Sequence, residues 1–93
     1  MKVLEAKVVD SRQEDPASEP DRRTDTWIIE VKLKEHVLGW EEVRIDLQAA
    51  AVGAEIIEIS MADASEFTVR TRGKPHVEKG DTIHVAVRDT QRA

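Results

Sequence analysis

The sequence predicts a small, mainly antiparallel β fold, a barrel or sandwich of about six short strands. Apolar and polar residues alternate in several short segments, which is the period of a half-buried strand. The last two segments, residues 66–71 and 81–88, are joined by a loop that contains Gly73, Pro75 and Gly80. This loop is too short for a crossover helix, so we expect the two strands to run antiparallel.

Composition supports one domain over residues 1–93. The chain has 93 residues, of which 40% are hydrophobic and 35% charged, a balance typical of a globular protein. Aromatic residues make up only 3%, so the core must be mainly aliphatic. A chain of this length buries a small core, and its stability is modest unless a partner adds buried surface.

Two strands are predicted in the first third of the chain, at residues 2–10 and 26–34. Each carries aliphatic residues at every second position. The positions expected to face the core are Leu4, Ala6 and Val8 in the first strand, and Trp27, Ile29, Val31 and Leu33 in the second.

The intervening segment, residues 11–25, has a different composition. Its one apolar residue besides two prolines is Ala17, and acidic, basic and small polar residues fill the rest. Such a segment buries too little apolar surface to offset the entropy lost on ordering. We therefore expect a long polar surface loop.

Residues 40–52 fit two patterns. Alternation of Val43, Ile45 and Leu47 favours a strand over residues 42–48. Helical spacing of apolar residues, with Gly53 as a C-terminal cap, favours a helix instead. Our preferred interpretation is a strand followed by one short helix near residues 47–52, with its turn at 49–52.

The next strand, residues 54–61, carries apolar residues on both faces, with Ile56 on one and Ile57 and Ile59 on the other. Such a strand is expected to be central or covered on both sides. The predicted core combines the alternating positions of the strands: Trp27, Ile29, Val31, Leu33, Ile57, Ile59, Val69, Ile83, Val85 and Val87.

No catalytic or metal motif accompanies these strands. The chain has no cysteine, and its three histidines, His36, His76 and His84, form no ligand-spaced pair. The sequence contains neither a nucleophile elbow nor a phosphate-cradling glycine loop. We therefore predict a protein that is not an enzyme and has no cofactor and no bound metal.

One group of residues stands out as a candidate site for a ligand or anion. It combines two strand positions that share a face with the loop that follows: Arg70, Arg72, Lys74, His76 and Lys79. Guanidinium and ammonium groups in this arrangement suit a phosphate, a carboxylate or an acidic partner. A solvated strand face that balances the acidic remainder of the chain is the other interpretation.

Charge and composition narrow the functions that this group supports. The net charge is −5, and few aromatic residues are present for base stacking, which argues against nucleic acid as a partner. We expect a non-enzymatic binding or regulatory module that contacts a small anionic ligand or a protein partner through loops and strand edges. The alternative is a nucleic-acid-associated barrel that uses the basic residues 70–79. The absence of cysteine and of a membrane-spanning run leads us to expect a cytoplasmic protein.

The order of segments from residue 38 to residue 88 resembles the TOBE domain, an OB-related β-barrel found as an accessory domain of ATPases that drive import. Residues 39–45 resemble its entry strand, residues 54–59 the next strand, and residues 67–87 its final hairpin. The resemblance implies an OB-like barrel and a binding role.

Three apolar residues, Ile28, Trp40 and Ile56, are difficult to place in the same core as the alternating set. An apolar residue on a second face needs a cover, which in so short a chain a second copy can supply. We therefore predict a homodimer, with folding of the 11–25 loop or the 49–52 turn over that face as the competing account.

Overall fold

A computed structural model describes residues 2–14 and 26–89 of the chain. Strands account for 60% of the structure, and six of them form a nearly closed antiparallel barrel with one short helix. The strands are β1 (Lys2–Gln13), β2 (Thr26–Leu33), β3 (Val43–Asp46), β4 (Glu55–Met61), β5 (Glu66–Arg72) and β6 (Thr82–Asp89). A 3₁₀ turn (Trp40–Glu42) precedes β3, and α1 (Ala49–Val52) follows it. The predicted fold class is therefore confirmed.

The strand order in the sheet is β3-β6-β1-β2-β5-β4. β5 and β6 are consecutive in the chain but are separated in the sheet by β1 and β2, so the final hairpin that the sequence suggested is wrong. Each of the two strands instead pairs with a strand from the first third of the chain. In this order β3 and β4 are the two edges of the sheet.

The loop after β5 explains this arrangement, because it crosses from one side of the barrel to the other. Residues Pro75 and Val77 are buried, and the His76 N–H donates to the carbonyl of Val52 at 2.6 Å. At the far end of the loop, the amide of Val8 donates to Asp81 and the carbonyl of Val8 accepts from Gly80, both at 2.8 Å. Because these backbone contacts hold the end of the loop against β1, β6 follows directly beside β1 and extends the sheet.

Most strand bounds follow the alternation closely, but the first strand is longer than predicted. Residues 11–13 continue β1 and pair with β2, and the amide of Glu14 donates to Thr26 at 2.9 Å. Pairing with β2 satisfies these backbone groups even though their side chains are polar. The rest of the predicted loop, residues 15–25, lies outside the described residues.

The predicted strand and helical turn between residues 42 and 52 are confirmed. β3 occupies Val43–Asp46, and α1 is a single turn that ends at Gly53, which has a φ of 74°. No helix in the described ranges is long and apolar enough to cross a membrane.

The core of the barrel is aliphatic, as expected, with one phenylalanine. Its buried apolar residues are Leu4, Ala6, Val8, Ile29, Val31, Leu33, Val37, Ile45, Val52, Phe67, Val69, Val77, Ile83, Val85 and Val87. Of the predicted core set, Trp27 and Ile59 are only half-buried. The assignment of Ile57 to the core was wrong, since this residue is 43% exposed.

A β-bulge explains the error at Ile57. The pairing of β4 with β5 shifts by one residue between Ile56 and Glu58, so Ile57 has no partner in the ladder. An extra residue reverses the alternation of the side chains around it. As a result, Ile56 and Ile59 both pack against the core, and Ile57 does not.

Candidate functional site

The two edge strands face each other across a cleft of about 610 Å³. β3 and the turn before it line one side of the cleft, and β4 lines the other. We call this cleft the seam. The apolar side chains that line it are Trp40, Val43, Ile45, Leu47, Ile56, Ile57, Ile59 and Met61.

α1 accounts for the separation of β3 from β4, because it lies in the chain between the two strands. Val52 of α1 is fully buried, and its carbonyl accepts the His76 N–H at 2.6 Å. A Cβ on the next residue, Gly53, would lie 2.5 Å from the Cγ of His76. The short helix is thus held tightly against the loop after β5. β3 and β4 are therefore joined through this anchored turn, and they do not pair with each other.

The inward-facing side chains of the seam are apolar and incompletely covered, whereas the charged residues Glu41, Arg44, Asp46 and Glu58 also line the cleft. Val43 and Leu47 on one side, and Ile56, Ile59 and Met61 on the other, are only partly buried although they pack against the core. Their apolar surface therefore remains accessible from between the two strands. This accessibility follows from the missing pairing between β3 and β4 and not from a polar interruption in either strand.

Charges on the outer face differ between the two edges. On β3, Asp46 contacts Arg88 of β6 at 2.7 Å and Arg44 at 3.7 Å. On β4, Glu58 contacts Arg70 at 3.6 Å and accepts a hydrogen bond from the Ser60 hydroxyl at 2.8 Å. β4 therefore has an acidic outer face, whereas on β3 two arginines share one carboxylate.

Glu55 completes the acidic face of β4. Its side chain is exposed and has no ion-pair partner among residues 2–14 and 26–89. It lies opposite Arg72 in the β4–β5 register, as Glu58 lies opposite Arg70.

The structure distributes the predicted basic group over β5 and the loop that follows it. Arg70 and Arg72 share the outer face of β5, as expected from their spacing. Lys74 lies over the ring of Trp27, with its Nζ 5.8 Å from the ring centre. His76 packs beside Gly53, and Lys79 lies in the exposed turn before β6.

Arg70, the central member of this group, is already matched by two carboxylates. Its guanidinium contacts Glu14 at 3.1 Å and Glu58 at 3.6 Å, and its Nε is buried without a hydrogen-bond partner. Because the two carboxylates offset the positive charge of this guanidinium, it attracts an additional anion only weakly. Within this group, Arg72, Lys74 and Lys79 have no acidic contact among the described residues.

Among the residues that the structure describes, two groups have shifted pKa values, and both lie outside the seam. Hydrogen bonds from the Ser65 and Glu66 amides to Asp63, at 2.8 and 2.9 Å, lower the pKa of that carboxyl. Hydrogen bonds to Asp10 and Glu30 raise the pKa of the Arg12 guanidinium. The first stabilises the turn between β4 and β5, and the second lies on the outer face of β1 and β2.

The histidines are dispersed. The His84 side chain is exposed on β6, with its Nε2 3.8 Å from Glu5, and His36 and His76 lie in separate loops. No group of three potential metal ligands converges within the ranges that the structure describes. The prediction of no bound metal stays a prediction.

Two sequence patterns pointed to the elements that form the seam. Apolar residues on both faces of residues 54–61, and the ambiguous pattern of 40–52, marked the two elements that line it. Their meeting across a gap depends on the strand order, which no local pattern reveals.

No protein-family model, curated protein or solved structure matches this chain. A six-stranded near-barrel is compatible with an OB-like fold. The resemblance to the TOBE domain remains a prediction.

Proposed function

We propose that this protein is a non-enzymatic binding module that holds a protein partner in the seam between β3 and β4. The observation that carries the proposal is the pair of facing strand edges, which no strand within residues 2–14 and 26–89 pairs with, and the accessible apolar side chains between them. An edge strand presents a row of free N–H and C=O groups that can pair with another strand. Peptide recognition by strand addition uses these groups for affinity and the alternating side chains for specificity.

Both edges carry features that limit indiscriminate pairing. β3 has four residues, and β4 contains the bulge at Ile57. Short edges and bulges are common protections against edge-to-edge aggregation. A partner must therefore supply side chains that fit the seam as well as a strand backbone.

A protein partner is a better proposal than a small anionic ligand or a nucleic acid. Arg70 is matched by Glu14 and Glu58, which reduces the charge of the predicted basic group. An oligonucleotide would need several free cations and aromatic stacking platforms. Binding to oligonucleotides that weakens steeply with salt would favour the alternative function instead.

A second copy of the chain is the competing occupant. Of the three residues that suggested a dimer, Trp40 and Ile56 pack against the core of their own barrel, and Ile28 is half-buried on the outer face opposite Arg70. The prediction of a dimer is therefore supported by the open strand edges alone. We therefore propose a partner protein as the occupant of the seam, and the tests below can also reveal a second copy there.

A heptapeptide of alternating threonine and valine, which favours the extended conformation, tests the seam directly. We expect NMR shift changes at the amides of residues 43–46 and 55–61. A peptide with proline at every second position is the control, because it lacks the donors that strand pairing needs.

Two lysine substitutions of exposed apolar residues separate the seam from the remaining surface. Ile57→Lys places a charge in the seam and should abolish the shift changes, whereas Val3→Lys, on the central strand β1, should preserve them. Shift changes confined to β1 and β2, or unaffected by Ile57→Lys, would show that the seam is not the binding surface.

A further inference from the structure

Resting on the proposed function, we infer the chemistry of the partner: an extended segment, alternately apolar and basic, that pairs with the free edge of β4. The molecule contains a strand that already pairs with β4 on its other edge, namely β5. Since an added strand would meet the same β4 side chains from the opposite side, β5 indicates which residues suit them.

The inward-facing positions of β4 and β5 are apolar on both strands. Ile59 lies opposite Val69, and Met61 opposite Phe67. Directly opposed side chains on one face of a sheet are the main stabilising contacts between strands. Because Ile59 and Met61 are still partly accessible, aliphatic or aromatic residues at every second position of the partner would cover them.

The outward-facing positions are oppositely charged. Glu55 lies opposite Arg72, and Glu58 opposite Arg70. The Glu58 side chain remains 53% exposed despite its contact with Arg70, and Glu55 has no contact with a cation in the described part of the chain. Both carboxylates can therefore accept a second basic residue from the free edge of β4. An acidic residue at these positions of the partner would be repelled.

β3 is the poorer template for such a segment. It offers four residues against the seven of β4. Arg44 lies opposite Arg88, and Asp46 already contacts both guanidiniums. Within Val43–Asp46 itself, a further cation would find no second carboxylate. The segment consequently pairs with β4 and only borders β3.

The closing experiment uses the chain's own β5 sequence as the probe. A synthetic peptide Glu-Phe-Thr-Val-Arg-Thr-Arg is compared with versions in which both arginines are glutamine or glutamate. We expect binding affinity at low salt to fall in that order, by roughly tenfold from arginine to glutamate for two cross-strand pairs. High salt should reduce the difference.

A charge reversal tests the assigned contact. Glu55→Lys should weaken binding of the arginine peptide and strengthen binding of the glutamate peptide. Glu55→Gln should give intermediate values. Since Glu55 is exposed and has no described ion pair, both variants should fold, which circular dichroism verifies. Unchanged peptide preference in Glu55→Lys would overturn the inference.

The outcomes separate this inference from the proposed function. If all three peptides bind equally and shift the amides of 55–61, the seam binds strands but has no preference for basic residues, and the inference fails alone. If neither these peptides nor the threonine-valine peptide bind, both proposals fail. A dimer by sedimentation equilibrium that the arginine peptide cannot dissociate would assign the seam to a second copy and overturn the inference.

Discussion

The barrel has a closed part and an open part, and they differ in pairing more than in composition. β6, β1, β2 and β5 each have two neighbours, and residues such as Ile29, Val69 and Val85 are at most 1% exposed. Within the part of the chain that the structure describes, β3 and β4 have one neighbour each, and their inward-facing Val43, Ile56 and Ile59 stay partly accessible. Similar alternating sequences thus produce a dry core in one part and an accessible apolar surface in the other. The difference arises from the strand order and from α1, which separates the two edges.

Matched isoleucine truncations measure this contrast. Ile29→Ala, in the closed part, should lower the free energy of unfolding by about 2–5 kcal/mol, because it removes a fully buried side chain. Ile59→Ala, in the seam, should cost less, about 1–2 kcal/mol, since water already reaches that side chain. Urea denaturation of both variants checks the ranking. Equal losses would indicate that the seam is as well packed as the closed part.

Gly53 tests the role of α1 in holding the edges apart. Gly53→Ala introduces a Cβ 2.5 Å from the Cγ of His76 at a φ of +74°. We expect a loss of about 2–3 kcal/mol from backbone strain and the steric conflict together.

Gly39→Ala is the control for backbone strain, because Gly39 has a similar φ of +69° but no atom within 4 Å of the added Cβ. It should lose about 1 kcal/mol. Thermal unfolding gives both values. If the two variants lose the same stability, the contact between α1 and the loop after β5 is not the restraint that we describe.

Asp63 tests the turn that joins the open strand β4 to the closed part. Its pKa is lowered in the folded state, mainly by the Ser65 amide. The carboxylate therefore contributes stability that is fully present above its unfolded pKa and is lost as the pH falls through the lower folded value. In the Asp63→Asn variant, stability should therefore decrease less steeply as the pH falls.

The matched control is Glu41→Gln, which changes an exposed side chain without a contact in the described part of the chain. It should leave the pH dependence of the melting temperature unchanged between about pH 4 and 2. An Asp63→Asn variant with the same acid-side slope as the unmodified protein would contradict the assignment of the stabilising contact to this carboxylate.

The elements were predictable from sequence because they depend on local alternation. Strands were expected at residues 26–34, 54–61 and 66–71, and the structure has them at Thr26–Leu33, Glu55–Met61 and Glu66–Arg72. The helical turn at 49–52 was placed correctly. Alternation does not specify neighbours, so β5 and β6 were expected to pair with each other. Nor does it reveal an extra residue in a ladder, which is why Ile57 was assigned to the core.

The candidate site was less predictable than the fold. Arg70 and Arg72 were identified from their spacing, but the carboxylate of Glu14, 56 positions away in the chain, was not foreseeable as a partner of Arg70. The seam needs both the strand order and the anchored α1. Each of these depends on contacts between distant segments, which a single sequence does not display.

Amide hydrogen exchange tests the central claim, that the seam accepts a strand, most directly. In the free protein we expect the slowest exchange in β1 and β2, at the centre of the sheet, and faster exchange in β3 and β4. Addition of the arginine heptapeptide should slow exchange within residues 55–61 and leave β1 and β2 unchanged. Exchange in β4 that is already as slow as in β1 without the peptide, or that the bound peptide does not slow, would contradict the account.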